Sequence, residues 1–506
     1  MSHTRPLEAC DTSDFLTSFE IRENSDLNFT AFLSNSLTNY LHLLDTSLTA
    51  DELVIRGNYQ FSFYIDGKLL YTENLNTGAG LPRQKNEDTI LRKPLLSSTN
   101  ADSWGRFLWM RFFHRNGGEA ALETGTHVLK IEIRPYLENK ELIVGDLIAQ
   151  GEIRLKMAEP EEVNEEQIAI QPIQPNSGWE LSTASYDEEK IRALNEKIAQ
   201  NRFKHITSVV VIKEGKLLLE EYFNGTNRNT LHDTRSVGKS FASSVAGIAL
   251  EEGHLQGTDQ RLNEFYDLTQ FANYSPKKDR VTLKSLLTMS SGFEGNDDNY
   301  DSPGNEEKMY PTDDWVKFAL DLSMDKTKEI GKKWEYFTAG VVVLGDILDK
   351  SVPEGLEKYA DEKLFSPLGI SRYQWKYTPQ NVASTAGGLQ MNSLDFAKYG
   401  QLYKNKGLWN GRQVLPVDWV EKTFTNYFSK TPTQTPYGFL FWNHTYTING
   451  ERYEAFQCRG NGGNKVIVFT DQPFVIVITA TAYGQPYGHP QVEKMMQDFI
   501  LPAILE

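Results

Sequence analysis

The spacing of apolar residues changes along this chain, and the changes divide it. Before about residue 157 they fall in short runs rich in aromatic and β-branched residues: YQFSFYID, KLLYTE, RFLWMRFF, HVLKIEIRPY and GEIRLKM, punctuated by Gly, Asn and Asp. Such runs predict strands, and a set of them predicts a β-sandwich-like domain. GTHVLKIEIRPY alternates at period two, with Val128, Ile131 and Ile133 only approximately in phase, so it predicts a strand without fixing its inward face. At 158–177, AEPEEVNEEQIAIQPIQPNS, acidic residues, prolines and amides replace any period, which predicts a linker.

Past it, DEEKIRALNEKIAQN places Ile191, Leu194 and Ile198 three and four apart behind an acidic first turn, an amphipathic helix. ITSVVVIKEGKLLLEEYFNG is two apolar runs around Glu-Gly, a hairpin. At the far end YGFLFWNHTY, ERYEAFQC, NKVIVFT and FVIVITATA read as four strands with turns such as Asn449-Gly450, followed by a helix from about Gln491 to Leu505. An antiparallel sheet built from both ends of a domain, with helices between, is the economical arrangement. The expected fold class is α+β, with a β-rich domain over 1–157, a linker over 158–177 and the second domain over 178–506.

Length agrees with two domains: single cores stop growing near about 250–300 residues, and the chain has 506. A formal charge of -16 opposes phosphate backbones and anionic lipid, so neither nucleic acid nor a membrane is an expected partner. Two cysteines, Cys10 and Cys458, supply neither a disulfide framework nor a zinc spacing, and no metal or other cofactor is expected. The first residues carry no apolar core ahead of a small-residue cleavage site, and no apolar run reaches membrane-spanning length, which reads as cytoplasmic.

Candidate chemistry begins with Ser-x-x-Lys, which occurs at Ser236, Ser275 and Ser323. Ser275 sits in a polar turn with proline and Ser323 in a charged stretch, where a solvated serine is the ordinary reading. Ser236 instead opens SVGKSFASSVAGIALEEG, whose Val237, Phe241, Val245 and Ile248 form a helical stripe on an almost uncharged helix. A serine in the first turn of a buried helix meets the positive end of its dipole, and its N–H is among the unpaired donors there. Lys239 returns to the same face one turn later, and burial of an ammonium disfavours its charged form, which makes a base. By themselves these residues read equally as an N-cap serine and a snorkelling lysine.

Tyr336, in IGKKWEYFTAGVVVLGDILDK, stands at the edge of a polar turn before an apolar helix, as a proton-relaying phenol or as a packed tyrosine. Gly460, Gly462 and Gly463 precede a strand, where a backbone can approach a ligand or simply turn. No Gly-x-Ser-x-Gly elbow is present, and His232, His254 and His489 lie in no motif with a serine.

The three segments, in this order and spacing, resemble the serine β-lactamase and penicillin-binding-protein superfamily, in its class C-like esterase branch. ITSVVVIKEGKLLLEEYF, TLHDTRSVGKSF, LQGTDQRLNEF, VTLKSLLTMSSGFE and ASTAGGLQMNSLDFAKYGQLY extend the resemblance over about 178–506. It implies a three-layer fold, an antiparallel sheet flanked by helices plus a helical subdomain. It implies Ser236 as nucleophile, Lys239 as its base and Tyr336 as the phenol that exchanges protons with it. The implied oxyanion hole is the N–H of Ser236 with that of Asn464, and the implied substrate-binding positions are Thr338, Asn461, Gly462 and Gly463. Residues 1–157 lie outside the resemblance.

Two motifs depart from the pattern. Tyr336-Phe337-Thr338 replaces Tyr-x-Asn, exchanging an amide for a hydroxyl without its two N–H donors. Asn461-Gly462-Gly463 replaces Lys-Thr-Gly, so no lysine meets a substrate carboxylate. The expectation is a serine hydrolase acting through an acyl-enzyme on a small ester or amide rather than an efficient β-lactamase. The alternative is a catalytically retired ligand-binding relative. Trp334, Tyr437, Trp442 and Tyr483 are candidate pocket walls or core aromatics.

Overall fold

The computed structural model describes residues 15–22, 25–98, 103–123, 125–139, 141–157, 162–428 and 436–505. Contacts divide the chain into two compact units, the described residues before Glu162 together with 485–490, and 162–484 with 491–505.

The first unit holds β1 (Ser18–Ile21), β2 (Leu27–Phe32), β3 (Gly57–Ile65), β4 (Lys68–Asn74), β5 (Ile90–Leu96), β6 (Gly125–Glu138), β7 (Leu142–Val144) and β8 (Ala149–Met157). One sheet runs β1-β8-β6-β3-β4 with β7 also on β6, while β2 pairs with β5 alone. The sheet expected from the sequence is there, but its cover is a two-stranded sheet and helices rather than a second large sheet. RFLWMRFF, read as a strand, belongs to the helix Trp104–Arg115. A run that is apolar at most positions has no period to separate strand from buried helix. Here Leu108, Trp109 and Phe112 share one helical face and are buried, and Phe112 stacks on Phe63 of β3 at 4.7 Å between ring centroids.

The second unit holds β9 (Ile206–Lys213), β10 (Lys216–Tyr222), β11 (His232–Asp233), β12 (Tyr373–Trp375), β13 (Leu389–Met391), the small hairpin β14 (Leu408–Trp409) and β15 (Arg412–Gln413), β16 (Trp442–Ile448), β17 (Glu451–Gly460), β18 (Asn464–Phe469) and β19 (Phe474–Ala480). The main sheet has the order β10-β9-β19-β18-β17-β16, antiparallel throughout, so the N-terminal hairpin pairs with the last strand as the sequence predicts. Successive residues of β9 serve opposite faces. Val209 and Val211 pack with Ile191, Leu194 and Ile198 of the helix Glu188–Ala199 and with the closing helices. Val210 and Ile212 pack toward the helices Val237–Glu251 and Thr338–Ser351. This is the three-layer arrangement, and a strand buried on both faces explains why ITSVVVIK shows no alternation.

Of the segment 158–177 read as a linker, 158–161 lie outside the described residues, and the rest lies on the second unit. Gln171 exchanges hydrogen bonds with Tyr222, donating from Nε2 to its carbonyl at 2.7 Å and accepting its N–H at 3.1 Å. Ile170 and Ile173 pack against the unit's cores. Among the described residues no helix is long and apolar enough to cross a membrane.

The helix Val237–Glu251 can approach its neighbours because Gly247 has no side chain: a Cβ there would press on the Trp419 ring, nearest to Cδ1 and 2.5 Å from Cγ. Gly247→Ala therefore should lower stability by about 1–3 kcal/mol through overpacking, outweighing the ~1 kcal/mol that alanine gains in a helix interior. A rise in melting temperature would contradict this packing.

Candidate active site

The backbone around Ser236 is shaped before any side chain acts. β11 leads into Arg235, whose φ of 53° is left-handed, and the chain then enters the helix Val237–Glu251 with Ser236 at φ −63°, ψ −2°. A non-glycine residue in that region is strained and must be held by its surroundings. Three contacts hold it. Tyr483 donates from its hydroxyl to the Asp233 carbonyl at 2.6 Å, the Arg235 guanidinium lies 4.2 Å over the Tyr483 ring, and the Asp233 carboxylate accepts the Arg235 N–H at 3.2 Å.

Two glycines press on the same turn. A Cβ on Gly387, at φ 137°, would lie 2.6 Å from the Arg235 carbonyl carbon and 2.9 Å from Ser236 N. One on Gly460 would collide with the Thr234 carbonyl oxygen and stand 3.2 Å from Ser236 N. The end of β17 thus runs directly past the serine's N–H.

Both ordinary readings of the Ser236/Lys239 pair fail here. The Ser236 side chain makes no capping hydrogen bond. Lys239 is 2% exposed, so its ammonium does not snorkel to water. Its Nζ donates to Ser236 Oγ at 2.7 Å and to the Ala386 carbonyl at 2.5 Å, and neither partner is a carboxylate. Lys85 and Lys278 are also buried with Nζ on backbone carbonyls; Lys239 differs in that one of its partners is the hydroxyl of the serine at the start of its own helix.

Tyr336 completes the cluster. Its hydroxyl hydrogen-bonds the Ser236 side chain, and the Lys239 ammonium lies 5.3 Å from its ring centroid. Burial raises the phenol's pKa, opposed by the Lys239 charge and the Ser236 bond, so the phenol stays protonated through the neutral range. The ring stacks on Trp442 at 5.6 Å, and Trp334 and Tyr437 close around Trp442 at 5.3 and 5.1 Å. Those three aromatics are the packing that fixes the phenol, while Tyr483 braces the turn before the serine. Arg459, one residue before Gly460, turns its guanidinium onto the Trp442 ring at 4.9 Å.

A family model for Beta-lactamase matches residues 196–492, more than half of the chain and all of the residues just described. The chain belongs to the Beta-lactamase family. It is 25% identical over 247 residues to a candidate penicillin-binding protein, PbpX, of Bacillus subtilis (strain 168), covering 46% of this chain and 59% of that one. It is 24% identical over 203 residues to a candidate D-alanyl-D-alanine carboxypeptidase of Escherichia coli (strain K12), covering 39% and 46%. The chain therefore spans less than two thirds of each of these relatives. A solved structure of a candidate β-lactamase from Bacteroides dorei DSM 17855 shares the fold, with a TM-score of 0.51, 17% identity, and coverage of 62% of this chain and 98% of that one. The relationship places the chain in a family of hydrolases.

Ser236, Lys239 and Tyr336 come together as the family pattern implies; the other expected positions are less uniform. Asn464 sits across the β17–β18 ladder from Gly460, and its side chain is spent on the sheet: it donates to the Asn461 and Ala480 carbonyls at 2.8 and 2.9 Å and accepts the Ala480 N–H at 2.9 Å. The residue that packs against Ser236 N is Gly460, whose partner across the ladder is Asn464. Asn461 is exposed and holds the turn by accepting the Gly484 N–H at 2.8 Å; Gly462 packs against Tyr483. Gly463 is a left-handed turn residue, at φ 98°. Thr338 is fully buried and its hydroxyl has no partner among the described residues. His232 is buried with its pKa lowered to about 4 by burial, and its Nδ1 stands 3.3 Å from Thr207, not from Ser236. Cys10 lies outside the described residues.

Asp297 is the residue that motif reading misses. Its N–H donates to the Tyr336 carbonyl at 2.8 Å, while its carboxylate accepts the N–H of Thr338 at 2.7 Å and of Glu306 at 2.8 Å. It thereby caps the helix Thr338–Ser351 from outside and pins the segment carrying Tyr336; Phe337, at the cap position, offers no side-chain bond. Its pKa is raised to about 6, chiefly by burial and then by the Glu306 charge, against the pull of the Thr338 bond and Lys239. Only its place in GNDDNYDS, an acidic loop distant in sequence from Tyr336, marks it, and no periodicity singles it out.

Two outcomes follow. Gly460→Ala should lower kcat by at least the ~10²–10³ of a lost oxyanion donor, because the strand cannot stay against Ser236 N; wild-type turnover would contradict the close approach. Asp297 ionises with a raised pKa, so its charged form is opposed by the fold and stability should decline as pH rises from the unfolded value near 3.8 through about 6. Asp297→Asn should remove that slope from a pH series of melting temperatures, and should lower kcat without an acid limb near pH 6, since Glu306 and Thr338 donate to different carboxylate oxygens and an amide turns an NH2 donor toward one of them.

Proposed function

We propose that this chain is a serine hydrolase that works by acyl transfer through Ser236, on a small ester or amide. The observation that carries the reading is the buried Lys239 ammonium spent on Ser236 Oγ and a backbone carbonyl. In this mechanism the reactive form of the pair carries Lys239 as the neutral amine beside the protonated Tyr336, and that amine takes the Ser236 proton as Oγ bonds to the substrate's carbonyl carbon. The tetrahedral intermediate collapses, the bond to the leaving oxygen or nitrogen breaks, and Tyr336 returns the proton to that atom. Water then adds to the acyl-enzyme by the same route, and a carboxylic acid leaves with Ser236 restored.

The developing oxyanion is held by the N–H of Ser236 at the helix N-terminus and by a second N–H from the strand end beside it. We place that second donor at Asn461, immediately after Gly460, in preference to Asn464. The substrate reading rests on the altered motifs. No lysine occupies the Lys-Thr-Gly position, and Arg459 is committed to Trp442, which favours substrates without an essential carboxylate beside the acyl group. Small neutral esters and short amides fit better than β-lactams or D-alanyl peptides.

A fluorophosphonate probe followed by intact-mass analysis tests the reading. One adduct, mapped to Ser236 and absent from Ser236→Ala, is expected; no adduct under conditions that label a control serine hydrolase overturns it. With p-nitrophenyl esters, Lys239→Ala and Tyr336→Phe should each lower kcat by about 10²–10⁴, and the double variant should be little worse than the worse single one because the pair acts as a unit. Independent, multiplying losses would argue against a shared proton route.

A further inference from the structure

Arg459 stands beside the catalytic cluster without a carboxylate of its own. It is the last residue but one of β17, two positions from Gln457, which pairs with Trp442 of β16, and it lies directly opposite Lys465 of β18. Like charges directly opposed on a ladder repel. The carboxylate that faces this pair is Glu493, on the closing helices, and both of its oxygens are taken: one by the Lys465 ammonium, while His444 Nε2 stands 3.1 Å from the other. Among the described residues no carboxylate lies within ion-pair distance of the Arg459 guanidinium, which rests instead 4.9 Å over the Trp442 ring. A planar, weakly hydrated guanidinium suits an aromatic face better than a hydrated ammonium does.

Trp442 is held through its backbone as well. Two residues before it, Leu440 has a φ of 60°, a strained, left-handed conformation for a bulky side chain. Its N–H donates to the Leu287 carbonyl at 2.9 Å, and its carbonyl accepts the Ser240 hydroxyl at 2.7 Å. Ser240 follows Lys239 on the helix that Ser236 opens. Trp442 thus starts from a point tied to that helix, and its ring meets both the Arg459 guanidinium and the Tyr336 ring, the latter at 5.6 Å and 27° between planes. The Lys239 ammonium lies 5.3 Å from the Tyr336 centroid and donates to Ser236 Oγ. Guanidinium, indole, phenol and ammonium therefore form a continuous series that ends at the nucleophile.

We propose that Arg459 is a positioning residue for Tyr336, acting through Trp442: its guanidinium fixes the indole on which the phenol stacks, and Lys465 and Glu493 keep that guanidinium on the ring. The inference rests on the acyl-transfer reading above and adds to it a residue that acts at one remove from the reacting atoms. A phenol whose ring is loosely held still leaves the substrate its binding contacts but meets the serine in the productive geometry less often, so the loss falls on kcat rather than on KM.

The test uses the full chain and p-nitrophenyl acetate, with kcat expressed per Ser236 titrated by fluorophosphonate so that unfolded protein is not counted. Arg459→Met should lower kcat about 3–30-fold, the worth of a partly desolvated cation–π contact, with KM changed by less than about twofold. Arg459→Lys, which restores the charge, should recover part of the loss. A second readout needs no turnover. In protein labelled with 3-fluorotyrosine, the ¹⁹F resonance of Tyr336, identified by its absence from Tyr336→Phe, should move in Arg459→Met and in Trp442→Phe, and move back toward the wild-type position in Arg459→Lys. Wild-type kcat in Arg459→Met overturns the proposal, as does a loss confined to KM or a Tyr336 resonance that stays in place. If the wild type gives neither adduct nor turnover, the acyl-transfer reading fails, and the resonance still decides whether Arg459 holds the phenol. Arg459→Gln is the second variant where Arg459→Met does not fold; failure of both to fold would make Arg459 a determinant of the fold and overturns the positioning role.

Discussion

A lysine ammonium held away from water beside a serine hydroxyl is the constraint on which the second unit turns. Lys239 loses its hydration and receives in exchange only Ser236 Oγ and the Ala386 carbonyl, a poor trade in free energy. It persists because the helix Val237–Glu251 is packed on nearly every side, from Val237 through Ala249, so the side chain has no path outward. The same packing fixes the helix, and Ser236 at its start, against the sheet.

Steric fit extends that rigidity to the backbone. Gly387 lies against the peptide before Ser236 from one side and Gly460 from another, and both approaches are too close for any Cβ. Left-handed Arg235 is stabilised by Tyr483 and Asp233 around it. Local strain, close approach and a buried charge therefore coincide at one turn, the pattern expected where structure is held for chemistry rather than for stability. Tyr336 is positioned differently, by aromatic stacking on Trp442 and by Asp297, which ties its carbonyl to the start of the following helix.

The two units spend apolar surface in contrasting ways. In the second, β9 is covered on both faces and its alternate residues enter two separate cores. In the first, among the described residues, the larger sheet is covered on one face by a two-stranded sheet and helices that share a single core. The closed arrangement fixes side chains to within hydrogen-bond tolerance.

The sequence by itself determined the elements with a clear period or turn: the helix with Ile191, Leu194 and Ile198, the hairpin at Glu214-Gly215, the strands of the far end, and Ser236, Lys239 and Tyr336 by motif. These were legible because period and motif are local properties. RFLWMRFF was not, since an apolar run without a period is resolved only by what packs on it, and Phe63 lies elsewhere in the chain. Tertiary structure alone decided the rest. Asp297 acts on Tyr336 from 39 positions away, Gly387 matters for what lies against it, and the end of β17 meets the turn before Ser236 at Gly460. Each depends on a distance between segments remote in sequence, and such distances are set by packing, not by the residues' own neighbours.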